Sequence, residues 1–138
     1  MLLNINEEDY YDFDLLGISS HEKNYRLVWS LNRGMNWMLS KVDDVCLDWK
    51  GVSSSHSVFK YDDMLGNTFT LIENRSPEAI YLSELSQFDY LLLVSHEGEY
   101  SLETTLQELR RCPFVITAYS FNVHSLKNKE LLLFELKD

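Results

Sequence analysis

Tyr90-Leu91-Leu92-Leu93-Val94 is the stretch on which the fold turns. Five apolar residues in a row, bounded by Asp89 and by Ser95-His96-Glu97-Gly98, are too short for a helix and do not alternate. The run therefore predicts a strand buried on both faces. Left at a sheet edge it would invite pairing with other chains, so it is placed inside the sheet with a neighbour on each side.

Carboxyl-terminal to this run, Ser101 opens a helix over 101–111. Leu102, Leu106 and Leu109 share one face, Glu103 lies in the first turn, and Arg110-Arg111 lie in the last turn where the helix dipole favours cations. Pro113 ends it. Phe114 to Tyr119 and Leu131 to Leu136 are read as two more strands joined by the polar stretch Asn122 to Lys129. Amino-terminal to it, Ala79 to Phe88 fits either an extended segment or a short helical turn. Asn74 to Glu78 reads as a loop.

Further out, Thr68 to Glu73, Ser57 to Asp62, Val45 to Trp49 and Trp37 to Lys41 are short alternating segments separated by turn residues, an antiparallel meander. Tyr10 to Leu16 alternates as a half-exposed strand, with Gly17-Ile18 turning the chain. Ser19-Ser20-His21-Glu22 then carries the spacing of a reciprocal helix cap, so a helix over 20–33 with Gly34 as its left-handed stop follows. The fold class is α+β. It is one domain spanning 1–138, a largely antiparallel sheet of about six or seven strands with two helices, in the order β-α-β(meander)-β-α-β-β. Asp48, Lys50 and Lys60 are assigned to a wet face and both helices to the other.

Composition narrows function by exclusion. The chain of 138 residues has an apolar fraction of 45%, enough to build a core without staples. Twenty-two acidic against twelve basic residues give a net charge of -10, which repels phosphate backbones, so no nucleic acid is expected as a partner. The longest apolar runs fall far short of the roughly 20 residues of a membrane span. No membrane association is expected, and the amino terminus lacks the pattern of an export signal, which gives a cytoplasmic location as the expectation. Cys46 and Cys112 form no CxxC pair, and His21, His56, His96 and His124 occur singly. Neither a metal site nor a cofactor is implied.

Leu82-Ser83-Glu84-Leu85-Ser86-Gln87-Phe88-Asp89-Tyr90 resembles the hallmark of the IPExxxVDY family of small bacterial proteins. Glu84, Asp89 and Tyr90 match at the right spacing, while Leu82, Ser83 and Phe88 stand for isoleucine, proline and valine. Phe13 to Ile18, Tyr25 to Asn32 and the run from Tyr90 to Gly98 add to a resemblance that covers about residues 10 to 135. It implies a single bacterial domain and no particular activity, substrate or cofactor.

The candidate binding residues are Glu84, Asp89, Tyr90, His96 and Asn32. Glu84 and Asp89 would serve acid/base chemistry only if they shared a cleft. Ser95-His96-Glu97 offers nucleophile, base and acid types where α/β proteins often place ligands, although consecutive residues on an extended chain point in alternating directions. Asn32 could orient a ligand amide or bond to backbone. Two readings follow: a non-catalytic protein-interaction module, favoured because no chemical constellation converges, and a small hydrolase or transferase using Asp89, His96 or Glu84. A pocket joining Asp89 to His96 would favour the enzyme, and a flat apolar patch the module. Leu131 to Leu136, apolar on both faces of a terminal strand, gives the further expectation of a homodimer through this segment. The competing arrangement inserts that strand inside the sheet under a helix.

Overall fold

The computed structural model describes residues 10–136. Six strands, β1 (Asp14–Ser19), β2 (Ser40–Trp49), β3 (Val52–Asp62), β4 (Thr68–Glu73), β5 (Tyr90–Ser95) and β6 (Thr117–Phe121), form one antiparallel sheet in the order β2-β3-β4-β5-β1-β6. Two helices, α1 (Asn24–Met35) and α2 (Leu102–Arg111), accompany it. The apolar run lies where its pattern requires, as β5 between β4 and β1, with Tyr90 through Val94 all buried.

Because the sheet has no bare face at its centre, two cores form. Leu16, Ile18, Phe69, Leu71, Leu92 and Val94 meet Leu27 and Leu31 of α1 and Leu106 and Leu109 of α2, so both helices cover the same face, as expected. The opposite face, expected to be wet, is roofed by Tyr11, Tyr81, Leu82, Leu85, Phe88, Val123 and Leu132 packed on Leu15, Val58, Ile72, Leu91 and Leu93. Lys60 lies on that face, alternating with Phe59 and Tyr61. Asp48 does not, since Val45 and Leu47, which alternate with it along β2, pack against the second core.

Among the boundaries that differ from the sequence reading, four differences have a clear local reason. First, Gly17 and Ile18 continue β1 instead of turning it: Ile18 is fully buried, and a Cβ on Gly17 would lie 2.7 Å from the Phe88 ring, so only glycine lets that ring cross the strand. Second, α1 starts at Asn24 with Lys23 as an N-cap that contributes no side-chain bond; the Ser20 hydroxyl accepts instead from the nearby Glu22 amide. Its left-handed stop is Asn36 at φ 57°, while Gly34 lies inside the helix against the Cys112 sulfur. Third, the end of the expected Trp37 to Lys41 segment, from Ser40 on, and Val45 to Trp49 are one strand bulged between Val42 and Val45, with Lys50 and Gly51, both at positive φ, as its tight turn.

The fourth difference is the largest. Residues 131–136 form no strand; Lys129–Leu136 is a run of 3-10 turns, which puts Leu132 into the second core at 3% exposure and brings the Tyr81 hydroxyl to the Leu131 carbonyl. Lys-Glu-Leu-Leu-Leu-Phe-Glu-Leu contains no β-branched residue and is built of helix formers, so its apolar density serves packing from both sides of a turn. The order is accordingly β-α-β-β-β-β-α-β, without the final strand.

The fit at Gly17 is testable. Gly17→Ala should lose about 1 to 3 kcal/mol in urea melts through overpacking against Phe88. In the Phe88→Leu background, which removes the ring, the same substitution should cost much less; an equal loss in both backgrounds would place the strain elsewhere.

Candidate functional site

Asp89 and Tyr90, the two candidate residues at the entrance of β5, come together in an open cleft of about 520 Å³. Its walls are the β1–α1 connection (Ser20 to Lys23), the chain leaving β4 (Glu73 and Arg75 to Ile80), and Asp89-Tyr90 themselves. Asp89 Oδ2 accepts from the Ser20 amide at 2.9 Å, its Oδ1 lies 3.7 Å from Arg75 Nε, and its carbonyl accepts from the Asn74 and Arg75 amides. The Tyr90 hydroxyl donates to the Glu22 carbonyl at 2.6 Å. Burial, reinforced by the carboxylates of Glu73, Asp89 and Glu22, holds this phenol far above its ordinary range, so it stays a neutral donor. Half-buried Glu73 is also held above the usual carboxylate range, chiefly by desolvation. The cleft thus contains acids already engaged by backbone.

The remaining candidates go elsewhere. His96 sits at the other end of β5, stacked on Tyr100 with Nε2 3.5 Å from Asp14 Oδ2. At roughly 3.3 Å per extended residue, it is about 20 Å from Asp89. Glu84 accepts from the Lys127 and Asn128 amides, both at 2.8 Å, which lowers its carboxyl below the usual range and ties the 83–85 turn to the carboxyl-terminal segment. Asn32 joins α1 to β2: its Nδ2 donates to the Leu39 carbonyl and its Oδ1 accepts from the Leu39 amide. Glu84, Asp89 and Tyr90 each bind a segment remote in sequence, so the motif acts as a set of structural ties.

Three polar residues that the sequence reading did not single out carry more of the interior. Asn74, fully buried, donates from Nδ2 to the Leu85 and Phe88 carbonyls and accepts at Oδ1 from the Leu82 amide. Asn67, at the other end of β4, donates to Asp63 and to the Glu99 carbonyl and accepts from the Gly98 amide. His56, also fully buried, contacts the Glu73 carbonyl through Nδ1 and the Ser54 hydroxyl through Nε2, both at 2.9 Å. A carbonyl can only accept, so Nδ1 carries the proton and Nε2 accepts from Ser54, a neutral imidazole with both nitrogens satisfied. Among the described residues no group of three or more His, Cys, Asp or Glu is placed to hold a metal ion.

The surface is different on α1. Tyr25, Trp29 and Arg33 follow one another at four-residue spacing along its outward side, with Tyr25 62% and Trp29 56% exposed. Arg33 lies over the Trp29 ring at 5.1 Å, and on the adjoining side Arg26 lies over Phe114 at 5.0 Å. Phe114 is held at φ 76°, a backbone region that residues with a Cβ avoid at a cost of about 1 to 3 kcal/mol. Compared with family models, curated proteins and solved structures, the chain matches none.

Two outcomes follow. Asn74→Ala strands two buried carbonyls and one amide, and at about 1 to 3 kcal/mol each should cost roughly 3 kcal/mol or more in denaturant melts, with loss of the 74–89 loop's amide protection. Burial, the dominant cause, depresses the His56 pKa below 6.5, against weaker pulls upward from its bond to Glu73 and from Glu78 and Asp44. A depressed base binds its proton less readily when folded than when unfolded. His56 therefore contributes stability that is complete above pH 6.5 and declines as pH falls below it. Melts of wild type and His56→Gln across this window should show the steeper acid loss in wild type; parallel curves would contradict a neutral buried His56.

Proposed function

We propose that this chain is a non-catalytic, cytoplasmic protein-interaction module of a small bacterial family, the one that Leu82 to Tyr90 resembles, and that it engages partners through the outward row of α1. The observation that carries this reading is the exposure of Tyr25 and Trp29 beside Arg33 on a helix whose opposite face alone is used for folding. Tyr, Trp and Arg are the residue types that dominate interface cores and binding hot spots.

Further observations support it. Glu84, Asp89 and Tyr90 are absorbed in ties to backbone, consistent with a family held together by its fold more than by a reaction. Exposed Cys46 and buried Cys112 are both free thiols, as suits a reducing compartment. Among the described residues no helix is long and apolar enough to cross a membrane. The alternative, a hydrolase or transferase using Asp89, His96 or Glu84, finds no support in a geometry that sets the three at separate places. Self-association through 131–136 loses its strand-edge argument because that segment turns inward, and the α1 row takes its place as the surface assigned to partners.

Site-specific photo-crosslinking in the native cell tests the reading. A photoreactive residue at position 25 or 29 should give discrete adducts, and one at position 96 should not. Trp29→Ala should remove the adducts formed from position 25 while changing stability by no more than about 0.5 kcal/mol, as for a surface substitution. Adducts formed equally from position 96, or adducts indifferent to Trp29, would contradict the assignment.

A further inference from the structure

The α1 row continues into a cationic border. Cys112, directly after α2, packs on Gly34 of α1, so the last turn of α2 with Arg110 and Arg111 abuts the end of α1 that carries Arg33. The Ser30 hydroxyl bonds to the Pro113 carbonyl and locks this junction. Arg110 is directed by two bonds from its guanidinium to the Ala118 carbonyl and lies over the exposed Tyr119 ring at 5.6 Å. Among the described residues, Arg33, Arg110 and Arg111 make no ion pair, whereas Arg26 is bonded to Glu22 at 2.9 Å. Arg33, stacked on Trp29, and Arg111, at the adjoining end of α2, thus place two guanidiniums without an ion pair beside the exposed α1 row of a chain whose net charge is -10. Arg110 is held by Ala118 and turns toward Tyr119, which packs with Phe88 on the other face of the sheet.

We infer that this face binds a short acidic protein segment bearing apolar side chains, a partner distinct from the chain itself; the inference rests on the α1 surface proposed above. Charge complementarity selects the acid: a guanidinium stacked on an aromatic ring, as Arg33 is on Trp29, keeps its edges free for a carboxylate, which it takes in bidentate fashion. The rings supply the apolar contact that a carboxylate alone would not use. The size of the patch selects a segment over a nucleic acid. An extended polyanion would run onto the surrounding acidic surface, while a peptide no longer than the patch is shielded from more distant charge, the screening length being about 8 Å at physiological salt.

Panning a displayed library of random short peptides against the full chain tests this. Enriched sequences should combine Asp or Glu with Leu, Phe or Trp. Their synthetic versions should lose at least about tenfold in affinity on Trp29→Ala and on Arg33→Glu combined with Arg111→Glu, with no loss on Arg75→Gln in the cleft at the start of β5. Circular dichroism melts confirm that each variant is folded. Enriched peptides that are neutral or basic yet still require Trp29 would overturn the partner's chemistry and leave the α1 surface standing. Peptides indifferent to Trp29→Ala, or no enrichment at all, would overturn both. Binding of a duplex oligonucleotide that depends on Arg33 would transfer the face to nucleic acid, and a doubled mass in light scattering that Arg33→Glu abolishes would transfer it to a second copy. Either result would overturn the inference.

Discussion

The side-chain amide of Asn74 is the interaction on which the far side of this protein depends. Adjacent antiparallel strands such as β4 and β5 can be joined by two residues, yet here residues 74–89 intervene. Buried backbone in so long a connection must find partners or lose stability. Asn74 supplies them at both ends of the loop: its amide and carbonyl main-chain groups bond to Asp89 and Tyr81, and its side chain takes the Leu82 amide and the Leu85 and Phe88 carbonyls. With its polar groups closed in this way, the loop can turn Tyr81, Leu82, Leu85 and Phe88 onto the sheet as a second core. Consequences then spread along the chain. Phe88 needs the bare backbone of Gly17, Glu84 anchors the segment after β6, and Tyr81 meets the ring of Phe134 and the carbonyl of Leu131.

That dependence explains which parts of the structure were legible in the sequence. Tyr90 to Val94, Thr68 to Glu73 and the helix after Ser101 were readable because their burial comes from regular neighbours, so period and capping determine them. Ser101 does accept from the Thr104 amide. Tyr10 to Leu16 misled because its alternation is real but belongs partly to a turn: Tyr11 packs on the second core from outside the sheet, and the strand begins only at Asp14. Leu131 to Leu136 misled because density of apolar residues does not distinguish a strand from a turn wedged under a loop. Asn74 and His56 gave no signal at all. A polar residue in a loop reads as solvated unless the fold that buries it is known. Among the candidate site residues, only Asp89 and Tyr90 were brought together, and being adjacent in sequence they could hardly have been separated.

Polar satisfaction also separates structure from function here. Asp89, Tyr90, Glu84, Asn32, Asn67, Asn74 and His56 all have bonds inside the molecule, and a group so engaged is costly to redirect toward a substrate. The cleft at the start of β5 therefore has the look of chemistry without free reactants. Among the described residues, side chains with unspent capacity lie on the outside, apart from the buried Tyr100 hydroxyl.

On α1 that distinction can be drawn within one helix. Its inward residues Leu27, Val28 and Leu31 bury the apolar stripe, Asn32 and left-handed Asn36 fix its exit, and Ser30 and Gly34 join it to the end of α2. Folding is served by these positions alone. Tyr25 and Trp29 occupy the side that folding leaves unused, where charged helix formers would be more soluble and at least as helical. Large rings kept in water are not explained by the stability of this chain, and the arginines stacked on or beside them shield only part of their area. A surface of this composition gains free energy by being covered, and the uncommitted positive charge at its border states what kind of surface would cover it.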